Sequence, residues 1–419
     1  MITVAYCALW VFVFSIPWDN VLVIPGIGVI TKLTGLLATG GTMLAVVFSG
    51  RFRRLHATHI AALLFVIWTG IGVMFMHTQG VPKKFYTFLQ LVLVLWMIWE
   101  LARSERRQLG LFTAYVLGAY VAALDTLLVF RRQAAIARRF AATDFDANDL
   151  AMLLALALPM AWYLGMVHRR PLMRWICRAY LPVGLIAIGL TASRGGMVAA
   201  MIGLLIVPLS MTRLTPGRLV TAIAMLGISG ALATVYIPQK VVQRLATTGD
   251  QVQELKFGGR FKLWVGGVNA FVQNPILGSG AASYKQVITP WLGSLAQVAH
   301  NSYLSVLVEE GSVGFLLYAI MVLAVFLAIL NLPPPERRFA LVLFATLLTA
   351  MLPLTWEDNK SVWFILGTLL GLAQTRVDEA GRAASLPDPI RVAPVIRQPQ
   401  AARVLAASAR RNIDRDAPA

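Results

Sequence analysis

The chain has 419 residues, of which 58% are hydrophobic and only 13% charged. Mean hydropathy is +0.71, which excludes an ordinary soluble domain, where roughly 25% of residues are charged. The net charge of +18 comes mainly from basic clusters flanking apolar runs. No nucleic-acid motif accompanies it, so the basicity points to membrane lipids and not to nucleic acid. Two cysteines, Cys7 and Cys177, imply no disulfide framework.

A helical span needs about 20 mostly apolar residues. In chain order such segments fall at 2–16, 31–49, 57–76, 84–101, 109–129, 148–167, 179–192, 195–210, 218–236, 303–330, 338–354 and 361–376. The expected fold class is therefore an all-α polytopic membrane protein with about twelve transmembrane helices. The first segment lacks a charged leader and a small-residue cleavage site, so it reads as an uncleaved span. Residues 1–236 hold nine spans, 237–302 form a large loop with an amphipathic helix, and 303–376 hold three more spans. The tail, 377–419, is rich in Ala, Arg and Pro without an apolar period, the composition of a disordered segment.

Basic residues in short loops orient such a bundle. RFRRLH (51–56), RSERR (103–107), HRRPLMRWICR (168–178), TRLTPGR (212–218), PPPERR (333–338) and the tail share one side under the twelve-span count. That side, with both termini, is expected to be cytoplasmic. The loops at 17–30, 77–83, 131–147, 193–196, 237–302 and 355–360 then face outward.

The outward segment FRRQAAIARRFAATDFDAND (130–149) breaks the charge rule. Arg131 and Arg132 recur as Arg138 and Arg139 seven residues on, so a short helix would show all four on roughly one face. They can meet anionic headgroups, or offer an electrostatic landing site for a pyrophosphate-linked substrate. Asp144 and Asp146 form a D-x-D with Asp149 nearby, a minor candidate for a hard cation. The arginines just upstream could pair with the same carboxylates, and no metal is expected. Glu357-Asp358 reads as a solvated loop, and Asp125 as the single plausible deep charge.

The 237–302 loop concentrates polar chemistry. Phe261, Trp264, Val265, Val268, Phe271 and Val272 form one helical stripe, expected to lie apolar side down on the bundle and to stop at Asn274-Pro275. Gly258-Gly259 precede it, so Arg260 sits where free N–H groups and the helix dipole favour an anion. It can equally snorkel to headgroups. TASRGG (191–196) places Arg194, Gly195 and Gly196 at the same surface, where glycines let a backbone approach a ligand closely or merely make a tight hairpin. His300-Asn301 opens the next helix. That position and nearby arginines favour a neutral imidazole, as a general base requires; a helix-end His capping its own backbone is the alternative. His77, the other outward histidine, has no polar neighbours of interest.

GR-x-x-LW (259–264), NPILGSG (274–280), HNSYL with Glu309 and Gly311 (300–311), SRGG (193–196) and the Asn-containing FDANDLA (145–151) together resemble the O-antigen ligase family (WaaL-like, in the O-antigen ligase/polymerase superfamily). The resemblance implies a GT-C-like glycosyltransferase of the bacterial inner membrane with its active site at the periplasmic face and no cofactor. The implied donor is an undecaprenyl pyrophosphate-linked glycan, and the implied acceptor a sugar hydroxyl of lipid A-core. By the family's motif, Arg194 and Arg260 hold the pyrophosphate and His300 activates the acceptor, with Asn301, Tyr303, Gly195 and Gly196 beside them. The motifs separate ligase from O-antigen polymerase poorly, and a protein O-oligosaccharyltransferase follows as a further rival. A transporter or flippase of lipid-linked sugars, the rival from another class, would place ionisable residues at mid-membrane.

Overall fold

The computed structural model describes residues 1–50, 52–75, 81–133, 139–210, 216–236 and 260–385. In chain order the helices are α1 (Ile2–Ser15), α2 (Ile30–Ser49), α3 (Ala57–Phe75), α4 (Val81–Leu101), α5 (Glu105–Gln133), α6 (Ala147–Val167), α7 (Pro171–Leu190), α8 (Arg194–Leu204), α9 (Ile206–Ser210), α10 (Pro216–Tyr236), α11 (Arg260–Gln273), α12 (Tyr284–Leu292), α13 (Ser302–Leu330), α14 (Pro334–Met351) and α15 (Lys360–Ser385). Among the described residues six helices are long and apolar enough to cross a membrane: α2, α4, α5, α6, α7 and α13. Shorter apolar helices cover Ile2–Trp18, Ala57–Gly72 and Arg194–Ser210. The chain is thus a helical membrane protein. A two-residue hairpin, β1 (Val23–Ile24) with β2 (Gly28–Val29), is its sole sheet among the described residues. Pro25 and Gly26 turn it, with Gly26 at φ 79° and Ile27 N–H donating to the Ile24 carbonyl, as a type II turn requires.

Each segment expected to span is helical, with informative departures at the ends. The seventh begins at Pro171, not 179, because proline's fixed φ suits the first helical position. The basic stretch 168–178 is therefore mostly helix and not loop. The eighth is broken at Leu205 into α8 and α9. In the tail, residues 377–385 continue α15, since Ala, Glu and Arg are good helix formers, which corrects the expectation of disorder from Val377. Residues 386–419 lie outside the described residues. Met1–Arg376 form one compact unit, which the chain leaves at Val377.

The core is built on α6, which is buried on every side from Leu150 to Gly165, as a helix apolar all round must be. It packs against α5, α7, α8 and α14. A second, smaller core joins the 260–300 segment to α13: Leu263, Ala270, Tyr284, Ile288, Ala296, Ala299 and Val308. The stripe on α11 is oriented differently from the sequence expectation. Leu263, Gly266, Gly267 and Ala270 are its buried face, while Phe261, Val265, Val268 and Val272 are exposed. Glycines decide this. A Cβ at Gly267 would collide with the Tyr284 ring, whose hydroxyl donates to the Leu263 carbonyl, so α12 packs only against the small-residue face.

Candidate active site

Three helix starts built by polar caps meet around α6. Asp146 caps α6, its carboxylate accepting from the Asn148 and Asp149 amides. Ser193 caps α8, its hydroxyl accepting from Gly196 N–H. Asn301 caps α13, its Oδ1 accepting from Leu304 N–H at 3.1 Å. Such caps satisfy otherwise orphaned amides and leave the positive end of each dipole at the site. Arg194 and Arg260 are the first residues of α8 and α11.

The caps are tied to one another. Ser193 Oγ donates to Asn148 Oδ1 at 3.1 Å, and Arg139 donates to the same oxygen at 2.7 Å and to the Thr191 carbonyl at 2.9 Å. Arg139 thus fastens the turn before Arg194 to the start of α6. Arg131 and Arg132 are exposed in the last turn of α5; Arg138, like His77 and Gly258-Gly259, lies outside the described residues. Of the three that are described, Arg139 is held by Thr191 and Asn148 while Arg131 and Arg132 are exposed.

Arg260 and His300 are both half-buried and electrostatically coupled to each other and to the exposed Asp146. Burial first, then the Arg260 charge, lowers the His300 pKa from its ordinary value, and Asp146 partly restores it. Burial and the Arg260 charge both favour the neutral imidazole. Its ring has no hydrogen-bond partner among the described residues. His300 is not a cap: it precedes Asn301 with φ at 44°, and its N–H donates to Thr355 Oγ1 at 3.0 Å. On the other side Trp264 Nε1 donates to the Ala299 carbonyl at 3.0 Å, linking α11 to the residue before His300.

Several residues singled out from sequence have structural employment. Asn301 caps, and Tyr303 donates to the Leu348 carbonyl at 2.9 Å. Gly195 fits against Met152 and Pro353, and Gly196 against Ala151, so both glycines permit close helix packing. Asp144 adopts φ 58° in the loop before α6. Among the described residues no group of three or more His, Cys, Asp or Glu side chains could hold a metal ion.

Two readings from sequence are overturned. Glu357 is not solvated but fully buried, and Asp125 is not the single deep charge. Lys84, Glu309, Glu310 and Glu357 are all buried, while Asp125 accepts from Thr143 near the end of α5. Lys84 Nζ lies 2.6 Å from both Glu309 and Glu357. Glu309 also accepts from the amides of Ala282 and Tyr284 at 2.7 and 3.3 Å. One lysine thereby joins α4, α13, the 280–284 turn and the loop before α15. In sequence Lys84 looks like any lysine at the mouth of a span, and its partners are 225 and 273 residues away.

NPILGSG is the matching backbone joint. Gly311 breaks α13 with φ 67° and ψ −172°. The freed Val308 and Glu309 carbonyls accept from Ser279 and Gly280 N–H at 2.9 and 2.8 Å, and Ser312 N–H donates to the Pro275 carbonyl at 2.8 Å. A Cβ at Gly278 or Gly311 would strike the opposing backbone. The motif therefore docks the loop onto the bundle.

Fold and site together define a helical membrane protein whose basic and imidazole side chains gather where several helices begin. Residues 179–319 are similar to the Wzy_C family, described as O-antigen ligase; the likeness covers that segment and not the rest of the chain. The match runs from α7 into α13 and includes Arg194, Arg260 and His300. No curated protein matches the chain.

Proposed function

We propose that the chain is a membrane glycosyltransferase that passes a glycan from undecaprenyl pyrophosphate to a sugar hydroxyl of lipid A-core. In this reading the bundle is GT-C-like with twelve spans in the bacterial inner membrane, the termini are cytoplasmic, and the site faces the periplasm. What supports it is the grouping of half-buried Arg260 and His300 with Asp146, the cap of α6, whose neighbour Asn148 bonds the Ser193 that precedes Arg194. His300 takes the acceptor's proton as its oxygen attacks the anomeric carbon. The bond to the pyrophosphate breaks with inversion, and Arg194 and Arg260 stabilise the departing charge without a metal.

The test is transfer by the purified protein in lipid, given a polyprenyl-pyrophosphate glycan and lipid A-core. Glycosylated lipid A-core is the expected product. A lengthened polyprenyl-linked glycan instead would mean a polymerase, a modified protein an oligosaccharyltransferase, and translocation of unaltered donor a flippase.

A further inference from the structure

His300 has little local support for its geometry. Its left-handed φ of 44° is followed by the extended Asn301 at φ −166°, and such a backbone persists only where its surroundings hold it. The hold comes from a segment 55 residues away, through the Thr355 hydroxyl that accepts the His300 amide.

That segment is fastened at every residue. Trp356 N–H donates to Ser302 Oγ at 2.7 Å, and the Ser302 hydroxyl donates to the Leu354 carbonyl at 2.8 Å. Trp356 Nε1 donates to Asp149 at 3.0 Å. Glu357 accepts from Lys84 at 2.6 Å and Ser305 Oγ at 2.7 Å, while its carbonyl accepts from Trp363 Nε1 at 2.8 Å. Thr355 is thus the last link of a network that reaches into the bundle, and His300 is what it holds.

We propose that Thr355 is a positioning residue for His300, its side-chain oxygen fixing the backbone that aims the imidazole, with the Lys84–Glu357 pair as the anchor. The inference rests on His300 being the acceptor base. Thr355 touches no reacting atom in this scheme. It holds the backbone of a residue whose ring has no hydrogen-bond partner among the described residues, and misplacement of a catalytic group by about 1 Å can cost roughly 10²-fold.

The experiment compares Thr355→Val, which keeps shape but loses the acceptor, with Thr355→Ser, which keeps the oxygen. Each is made alone and with His300→Ala, and transfer is measured with a polyprenyl-pyrophosphate glycan as donor. Thr355→Val should lower kcat about 10- to 100-fold, leave donor KM within about twofold and displace the acid limb of the pH profile. Thr355→Ser should restore most of the rate. In the His300→Ala background Thr355→Val should cost nothing further, because residues acting as a unit are not additive. Wild-type kcat and pH profile in Thr355→Val, or the same fractional loss with and without His300, overturns the positioning role. Near-normal transfer by His300→Ala alone overturns the base assignment instead, so the two failures are distinguishable.

Discussion

At Arg260 and Arg194 the proposed contact is to a phosphate that gains charge as it leaves. Arg260→Ala and Arg194→Ala should each lower transfer by roughly 10²–10³ with the protein still inserted. Lysine should recover little, because a bidentate fork becomes a point charge; Arg260→Lys turning over like wild type would refute the clamp. His300 gives a pH prediction with a fixed sign. Its folded-state pKa lies below the usual histidine value, so the base stays neutral down to that lower pH, and activity falls only as pH drops through it. Asp146 raises that pKa, so Asp146→Asn should move the acid limb further down. A limb that moved upward would show that the titrating group is not His300. His300→Gln should lose about 10²–10⁴ of the rate, since an amide can orient a hydroxyl but cannot take its proton.

At the scale of elements, two joints hold the loop on the bundle. The Gly278–Gly311 contact is a backbone interlock at positive φ on both strands of chain. Gly311→Ala or Gly278→Ala should open it, read as faster protease cleavage between residues 274 and 300 and a lowered melting temperature. The Lys84 joint is electrostatic. Lys84→Met leaves Glu309 and Glu357 buried without their cation, a loss of about 3–5 kcal/mol. Lys84→Met/Glu357→Gln should recover part of it by removing one stranded charge. Equal stability of Lys84→Met and wild type would mean the triad is not closed in the membrane.

For the whole molecule, the proposed topology makes opposite predictions for two exposed positions. With Cys7 and Cys177 replaced, Gln273→Cys on α11 should react with a membrane-impermeant maleimide from the periplasmic side, and Asn331→Cys between α13 and α14 only after the membrane is opened. The reverse pattern would invert the assignment of the site. Activity in excess chelator should persist, because the arginines supply the positive charge; loss with rescue by Mg²⁺ would put Asp144 and Asp146 at the centre.

Apolar run length alone determined the class of this protein, because a bilayer span has a fixed minimum length and every expected span is helical in the structure. Motif spacing also put Arg194 and Arg260 at helix starts, where the structure has them, since glycines beside a helix start are local in sequence. Other features were decided only in three dimensions. The buried face of α11 was misjudged because glycines, not large apolar residues, make the close contact with Tyr284. Glu357 looked solvated because its cation, Lys84, is 273 residues away. Thr355 was invisible for the same reason: a residue that holds another's backbone across 55 positions leaves no periodicity, and only tertiary packing brings the two together.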